Sequence, residues 1–133
     1  MKINSFEDAE VWQKSRVLAQ RIFELTQQDK FFRDFALKDQ INRAIGSAMD
    51  NVAEGFERGG NKELIQFLSI AKGSAGEVRS QLYRARDREY LTTEEFDHLK
   101  DDILEVSKKL SNFIFYLKRS DMKGVKYAHE PKP

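Results

Sequence analysis

Cysteine is absent, and with it go disulfides, thiol nucleophiles, thiolate zinc sites and iron–sulfur clusters. The chain must hold its fold by packing alone, which suits a reducing cytosol. Proline occurs only as Pro131 and Pro133, and most of the 7 glycines lie between helical stretches or among small residues. Few breakers therefore interrupt the long periodic runs. No stretch approaches the ~20 consecutive apolar residues that a membrane-crossing helix needs. The opening Met1-Lys2-Ile3-Asn4 turns polar at once and lacks the apolar core of a signal peptide. The expectation is a cytoplasmic protein with no membrane partner. Neither sign of charge dominates, since 23 Lys and Arg face 22 Asp and Glu for a net +1. Any attraction to nucleic acid has to come from local clustering.

What is present is helical periodicity. At 133 residues the chain has the size of one domain, large enough to bury about two-thirds of its unfolded surface. A first helix over about 6–27 starts after Ser5, with Glu7, Asp8 and Glu10 set against the positive end of its dipole. Val11, Ser15, Leu18, Ile22 and Leu25 recur at spacings of three and four, widened by Trp12, Ala19 and Phe23. The stretch from Gln27 to Ala36 breaks the pattern and reads as a connection whose Phe31, Phe32 and Phe35 cover one end of the core.

A second helix over about 37–58 aligns Leu37, Ile41, Ala44, Ala48, Val52 and Gly55, and Gly59-Gly60 ends it. Asn61 is the expected N-cap of a third helix over about 62–88, whose seam is Leu64, Leu68, Ala71, Ala75, Val78, Leu82 and Ala85. Gly73, Ser74, Ala75 and Gly76 in its middle suggest close approach of a neighbouring backbone. Thr92 and Glu95 form a capping box. They open a fourth helix over about 93–118, with Phe96, Leu99, Ile103, Val106, Leu110, Phe113 and Leu117 on its seam. Four rods of similar length, with short connections from the second to the third and from the third to the fourth, predict an all-α, antiparallel up-down-up-down four-helix bundle over residues 1–118. Residues 119–133 are polar and read as a flexible tail.

Chemistry-bearing constellations are sparse. Glu95 and His98 have the Glu-x-x-His spacing of di-iron bundles, but no second pair exists and His129 lies in the tail. With no phosphate loop or serine elbow either, the chain reads as no enzyme, with no cofactor and no metal. Glu54 and Glu77 fall near apolar seams, where carboxylates either become more basic or hydrogen-bond to neighbouring helices.

Lys72, Arg79 and Arg86 recur every seven residues, with Arg84 and Arg88 nearby. They form either a solvated face or a ridge that contacts RNA or DNA. Ile45, Met49, Phe56, Phe67 and Ile70 make a second apolar stripe that one bundle would leave partly wet, which points to self-association.

At the second and third helices the sequence resembles the four-helix bundle proteins encoded within intervening sequences of bacterial 23S ribosomal RNA genes. The resemblance is carried by Gln40-Ile41-Asn42-Arg43-Ala44, Asn51-Val52-Ala53-Glu54-Gly55-Phe56, Glu63-Leu64 with Phe67-Leu68, and Ala71-Lys72-Gly73-Ser74 with Glu77. Ala48 and Val52 stand where that family usually has isoleucine, and Leu64 where it has phenylalanine. Arg88-Glu89-Tyr90 replaces its glycine-containing turn.

The resemblance implies a bundle that assembles as a ring-like homopentamer. It places Gln40, Arg43, Asn51, Glu54, Lys72, Ser74 and Glu77 on the family's polar positions, suited to a hydrogen-bonded network between the second and third helices. The leading reading is thus a non-enzymatic homo-oligomer whose ridge contacts nucleic acid. The alternative is a protein-binding accessory subunit similar to the accessory proteins of retroelement reverse transcriptases. A metal-dependent bundle enzyme is a third reading, carried only by Glu95 and His98.

Overall fold

The structure, a computed structural model, describes residues 3–122 and Glu130–Pro131, with side chains as far as Ser120 in the first stretch. Among these residues the fold is all-helical. A single 3-10 turn at Phe6–Asp8 precedes α1 (Glu10–Thr26), α2 (Asp29–Arg33), α3 (Phe35–Arg58), α4 (Asn61–Asp87) and α5 (Thr93–Met122). The four expected rods are present, and the expected connection contains α2, a fifth and much shorter helix.

Each rod buries the seam that its spacing requires, except at the end of α1, where Thr26 is buried in place of the half-buried Leu25, and Phe23, expected to widen the stripe, is exposed. From Val11, Leu18 and Ile22 through Leu37, Ile41, Leu64 and Leu68 to Phe96, Ile103 and Phe113, the seam residues are almost wholly shielded. α1 packs on α3 and α5, and α4 likewise on α3 and α5, so the rods close into a square. Contacts fix their directions. Gln40 meets Arg84 and Ser47 meets Ser74, while Lys14 meets Glu105 and Arg21 meets Asp102. Numbers that rise on one helix fall on its neighbour, so α3 runs antiparallel to α4, and α1 to α5.

The ends of the rods show where local pattern was insufficient. α1 starts at Glu10, because Ala9 is extended (φ −74°, ψ 123°) and has no side-chain acceptor for the first helical N–H groups. The carboxylate of Glu130 accepts them instead, from Glu10 N at 2.5 Å and Val11 N at 3.0 Å. The flexible-tail expectation is therefore corrected at Glu130, and α5 continues to Met122, past the expected end at 118. Residues 123–129, His129 included, and residues 132–133 lie outside the described residues.

α3 starts at Phe35, since the Asp34 carboxylate accepts from Leu37 N at 3.1 Å. It ends at Gly59, whose φ of 82° is the left-handed conformation expected there. Gly60, not Asn61, is the N-cap of α4, and Asn61 is buried in the first turn. The capping box of α5 is formed as read, with Thr92 N donating to Glu95 at 2.9 Å and Glu95 N to Thr92 at 3.0 Å.

The corner between α4 and α5 works without glycine. Glu89 takes the left-handed conformation (φ 60°), while Arg88 and the Tyr90 hydroxyl donate to Asp34 Oδ2 at 2.7 and 2.9 Å.

Three readings of the apolar surface are corrected. Ile45 and Phe56, expected on a partly wet stripe, belong to the chain's own core at 1% and 7% exposure. α3 is flanked on two sides, and Phe56 also meets Phe113 of α5 edge-on with centroids 5.8 Å apart, so its buried stripe is broad. Of the three connection aromatics only Phe31 is buried; Phe32 and Phe35 stand in solvent. Close approach occurs at Gly55, where an added Cβ would lie 2.9 Å from Leu64 Cδ1 and 3.0 Å from Phe67 Cβ; Gly73 and Gly76 face open space.

Candidate functional site

A polar groove of about 500 Å³ runs between α3 and α4, lined by Gln40, Arg43, Ala44, Ser47, Ser74, Glu77 and Gln81. Helical spacing makes it. Residues 40, 43 and 47 on α3 and 74, 77 and 81 on α4 follow one another by three and four, beside each core seam. The antiparallel packing then brings these two polar stripes face to face.

Hydrogen bonds organise the groove. Asn51 Nδ2 donates to the Ser47 carbonyl at 2.8 Å and to Ser47 Oγ at 3.0 Å, and Ser47 Oγ lies 2.9 Å from Ser74 Oγ. With the Ser47 oxygen accepting from Asn51, its own proton can go to Ser74, which ties the helices together through hydroxyls. Farther along, Arg84 donates to Gln40 Oε1 at 2.5 Å. Arg43 is drawn to Asp39 on its own helix at 3.1 Å.

Of the expected network, Gln40, Arg43, Ser74 and Glu77 line the groove, and Asn51 joins through Ser47. Glu54 does not, because it pairs with Arg58 one turn on at 2.8 Å. Both Glu54 and Glu77 are exposed. Ser47 and Gln81 are not among the residues expected from the sequence, although each lies seven residues past one that is, Gln40 and Ser74.

Gln81 is the unsatisfied member: its Oε1 is shut off from solvent and accepts no hydrogen bond among the described residues. An orphaned acceptor costs about 1–3 kcal/mol. Gln81→Leu is therefore expected to leave the unfolding free energy of the chain unchanged or raise it by about 1 kcal/mol, as read by urea denaturation. A loss of more than about 1 kcal/mol would mean that the amide is satisfied in solution.

The five basic residues divide into two sets. Arg84 and Arg88 reach towards α3, where Gln40 and Asp34 hold them. Lys72, Arg79 and Arg86 lie along the other flank of α4, beside α5. There the Arg86 guanidinium sits 4.6 Å from the centre of the Phe96 ring and 5.2 Å from that of Tyr83, and Lys100 approaches Phe96 at 5.6 Å. Arg86 is also 3.7 Å from Asp87. Lys72 and Arg79 are exposed and make no ion pair among the described residues.

The remaining expected residues scatter. Met49 and Phe67 are half-buried, with Arg58 lying 5.0 Å over the Phe67 ring, and Ile70 is 46% exposed. Glu95 is occupied in its capping box, and His98 lies in solvent 3.9 Å from Glu94. On the far side of the bundle Lys14 bonds Glu105 at 2.9 Å, which raises the lysine's pKa and lowers the glutamate's. Together with Arg21–Asp102 at 2.8 Å, this pair clasps α1 to α5.

Comparison with known proteins bears on these features. Residues 7–112 match the family model of the 23S rRNA-intervening sequence protein. The chain is similar to a protein with unknown function from the S23 ribosomal protein family of Bacteroides thetaiotaomicron VPI-5482, known from a crystal structure. The identity is 27% and the TM-score 0.72, covering 78% of this chain and 97% of that one. No curated protein matches.

Proposed function

The chain belongs to the 23S rRNA-intervening sequence protein family, and from that membership we propose that it is a non-enzymatic helical bundle that assembles with copies of itself and contacts RNA or DNA through the basic row of α4. The observation that carries this reading is an exposed row on one helix in which two cations in heptad register have no carboxylate partner among the described residues. Lys14, Arg21, Arg43, Arg58, Arg88 and Lys109 each have a carboxylate within 4 Å, as does Arg86 at the end of the row. Lys72 and Arg79, seven residues apart on one exposed stripe, have none among the described residues. Cations left unneutralised in a row are available to phosphates, and repetition of the row around an assembly multiplies its field. The assembly we infer from the resemblance is a ring of five. Met49, Phe67 and Ile70, with the open glycines Gly73 and Gly76, supply surface for contact between copies.

The test is the salt dependence of binding to a labelled RNA, with Lys72→Ala/Arg79→Ala as the variant because neither side chain packs on the core. Each lost phosphate contact should remove about 0.7–0.9 from the slope of log K against log salt, so the double variant should flatten it by about 1.5. An unchanged slope removes the row from the interface. The second reading, a protein partner in place of nucleic acid, is favoured by Leu104 and Phe115, both exposed on one face of α5.

A further inference from the structure

The aromatics between α1 and α3 have different fates. Phe31 is buried against Tyr90, with ring centres 5.2 Å apart, whereas Phe32 is 41% exposed and Phe35 67%. The two exposed rings stand edge to face, 6.3 Å apart at 74°. The Lys38 ammonium lies over both, 3.8 Å from the centre of Phe32 and 4.9 Å from that of Phe35. Lys30 and Arg33 lie on the same short helix as Phe32, and neither they nor Lys38 has a carboxylate partner among the described residues.

The nearby acids are largely spent. Asp34 is held by Arg88 and Tyr90, and Asp39 by Arg43. Asp29 alone offsets three cations, so the patch carries a local positive excess. It is also displayed at some conformational expense, since Asp29 opens α2 with φ at 38°.

Exposed flat rings with a fixed ammonium among them, and two further cations on α2, suit bases whose faces are open and whose phosphates need neutralising. A duplex stacks its base faces on one another and would engage only the cations. Resting on the reading that the α4 row binds nucleic acid, we infer that Phe32, Phe35 and Lys38 form a stacking platform that gives the protein a preference for single-stranded over double-stranded nucleic acid.

The experiment measures fluorescence anisotropy of one labelled RNA, single-stranded and as a duplex with its complement. The proteins are the unaltered chain, Phe35→Ala, Phe35→Leu, Phe35→Trp and Lys72→Ala/Arg79→Ala. Phe35 is exposed enough for its variants to keep the core intact. Single-strand affinity should fall about tenfold for Phe35→Ala and Phe35→Leu and be retained by Phe35→Trp, because leucine is apolar but has no face on which a base can stack. Duplex affinity should change less than about twofold.

Full affinity in Phe35→Leu would overturn the platform, as would equal losses for strand and duplex. If Phe35→Ala binds as well as the unaltered chain while the α4 variant is weakened, the platform fails and the row stands. If the unaltered chain binds neither form of RNA, both fail. The platform is likewise overturned if Phe35→Ala leaves RNA binding intact but changes the mass of the assembly, or abolishes binding to vesicles of phosphatidylserine and phosphatidylcholine.

Discussion

Replacement of Asp34 by alanine is expected to lower the unfolding free energy by about 3 kcal/mol, or on the order of 10 °C in Tm. One carboxylate serves three elements. Oδ1 accepts the Leu37 N–H that starts α3, and Oδ2 accepts from Arg88 and Tyr90 at the corner between α4 and α5. The side chain is 16% exposed, so solvent screens these bonds only in part.

A lost N-cap costs about 0.5–2 kcal/mol and a lost bond to a charged group about 1.5–3. Because these bonds share one group they do not add in full. Asp34→Asn should recover part of the loss, since its amide oxygen can still cap α3. Urea denaturation reads both variants; a change below about 0.5 kcal/mol for Asp34→Ala would show that the corner is held otherwise.

The same residue predicts a pH dependence of defined sign. The Leu37 N–H, with help from Tyr90 and Arg88, holds the Asp34 carboxyl below the usual carboxylate range. Its contribution is therefore present above the unfolded value, and it fades as pH falls through the lower folded one. The stability gap between the unaltered chain and Asp34→Ala should shrink on acidification. Tyr90 shifts the other way, raised chiefly by its bond to Asp34. Its contribution holds below the ordinary phenol range and is lost as pH rises through the raised value.

Asp34 also marks a limit of sequence reading. The rods were legible because a seam such as Phe96 to Leu117 repeats a local rule many times, and Thr92 with Glu95 states a helix start within four residues. Asp34 has its decisive partners 54 and 56 residues away, and nothing local separates it from Asp39. The cap of α1 by Glu130 lies farther still from any local rule, at a separation of 120 residues.

Phe31 and Phe32 are the same residue side by side, and a five-residue helix offers too little periodicity to say which one turns inward. Sequence alone does not assign Ile45 and Phe56 to the core, because a stripe's width shows how much surface is apolar but not how many neighbours cover it. The groove was partly legible. Gln40, Ser74 and Glu77 came from a resemblance, but Ser47 and Gln81 follow from continuing the same three-and-four spacing across the helices.

Glycine to alanine is expected to act with opposite sign at different sites on α3 and α4. At Gly55 a new Cβ would lie 2.9 Å from Leu64 Cδ1 and 3.0 Å from Phe67 Cβ. The Leu64 methyl can swing aside, but Phe67 Cβ is fixed to the backbone of α4, so the helices must part. That strain should exceed the gain in helix propensity of about 1 kcal/mol. Gly55→Ala should therefore be destabilising, and Gly55→Leu should cost about 3 kcal/mol.

At Gly46, Gly73 and Gly76 a side-chain Cβ would meet no other part of the described structure within 4 Å. Changing all three to alanine should stabilise the single chain by about 2 kcal/mol through propensity alone. In the assembly proposed above, helical glycines that no contact within the chain requires are the positions where a second copy would come close. The triple variant should therefore melt higher yet weaken the assembly at least tenfold, as light scattering over a dilution series would show. A higher melting point with unaltered association would place the contact between copies elsewhere, on Met49, Phe67 and Ile70. Destabilisation of the dilute single chain would instead mean that these faces are already packed within it.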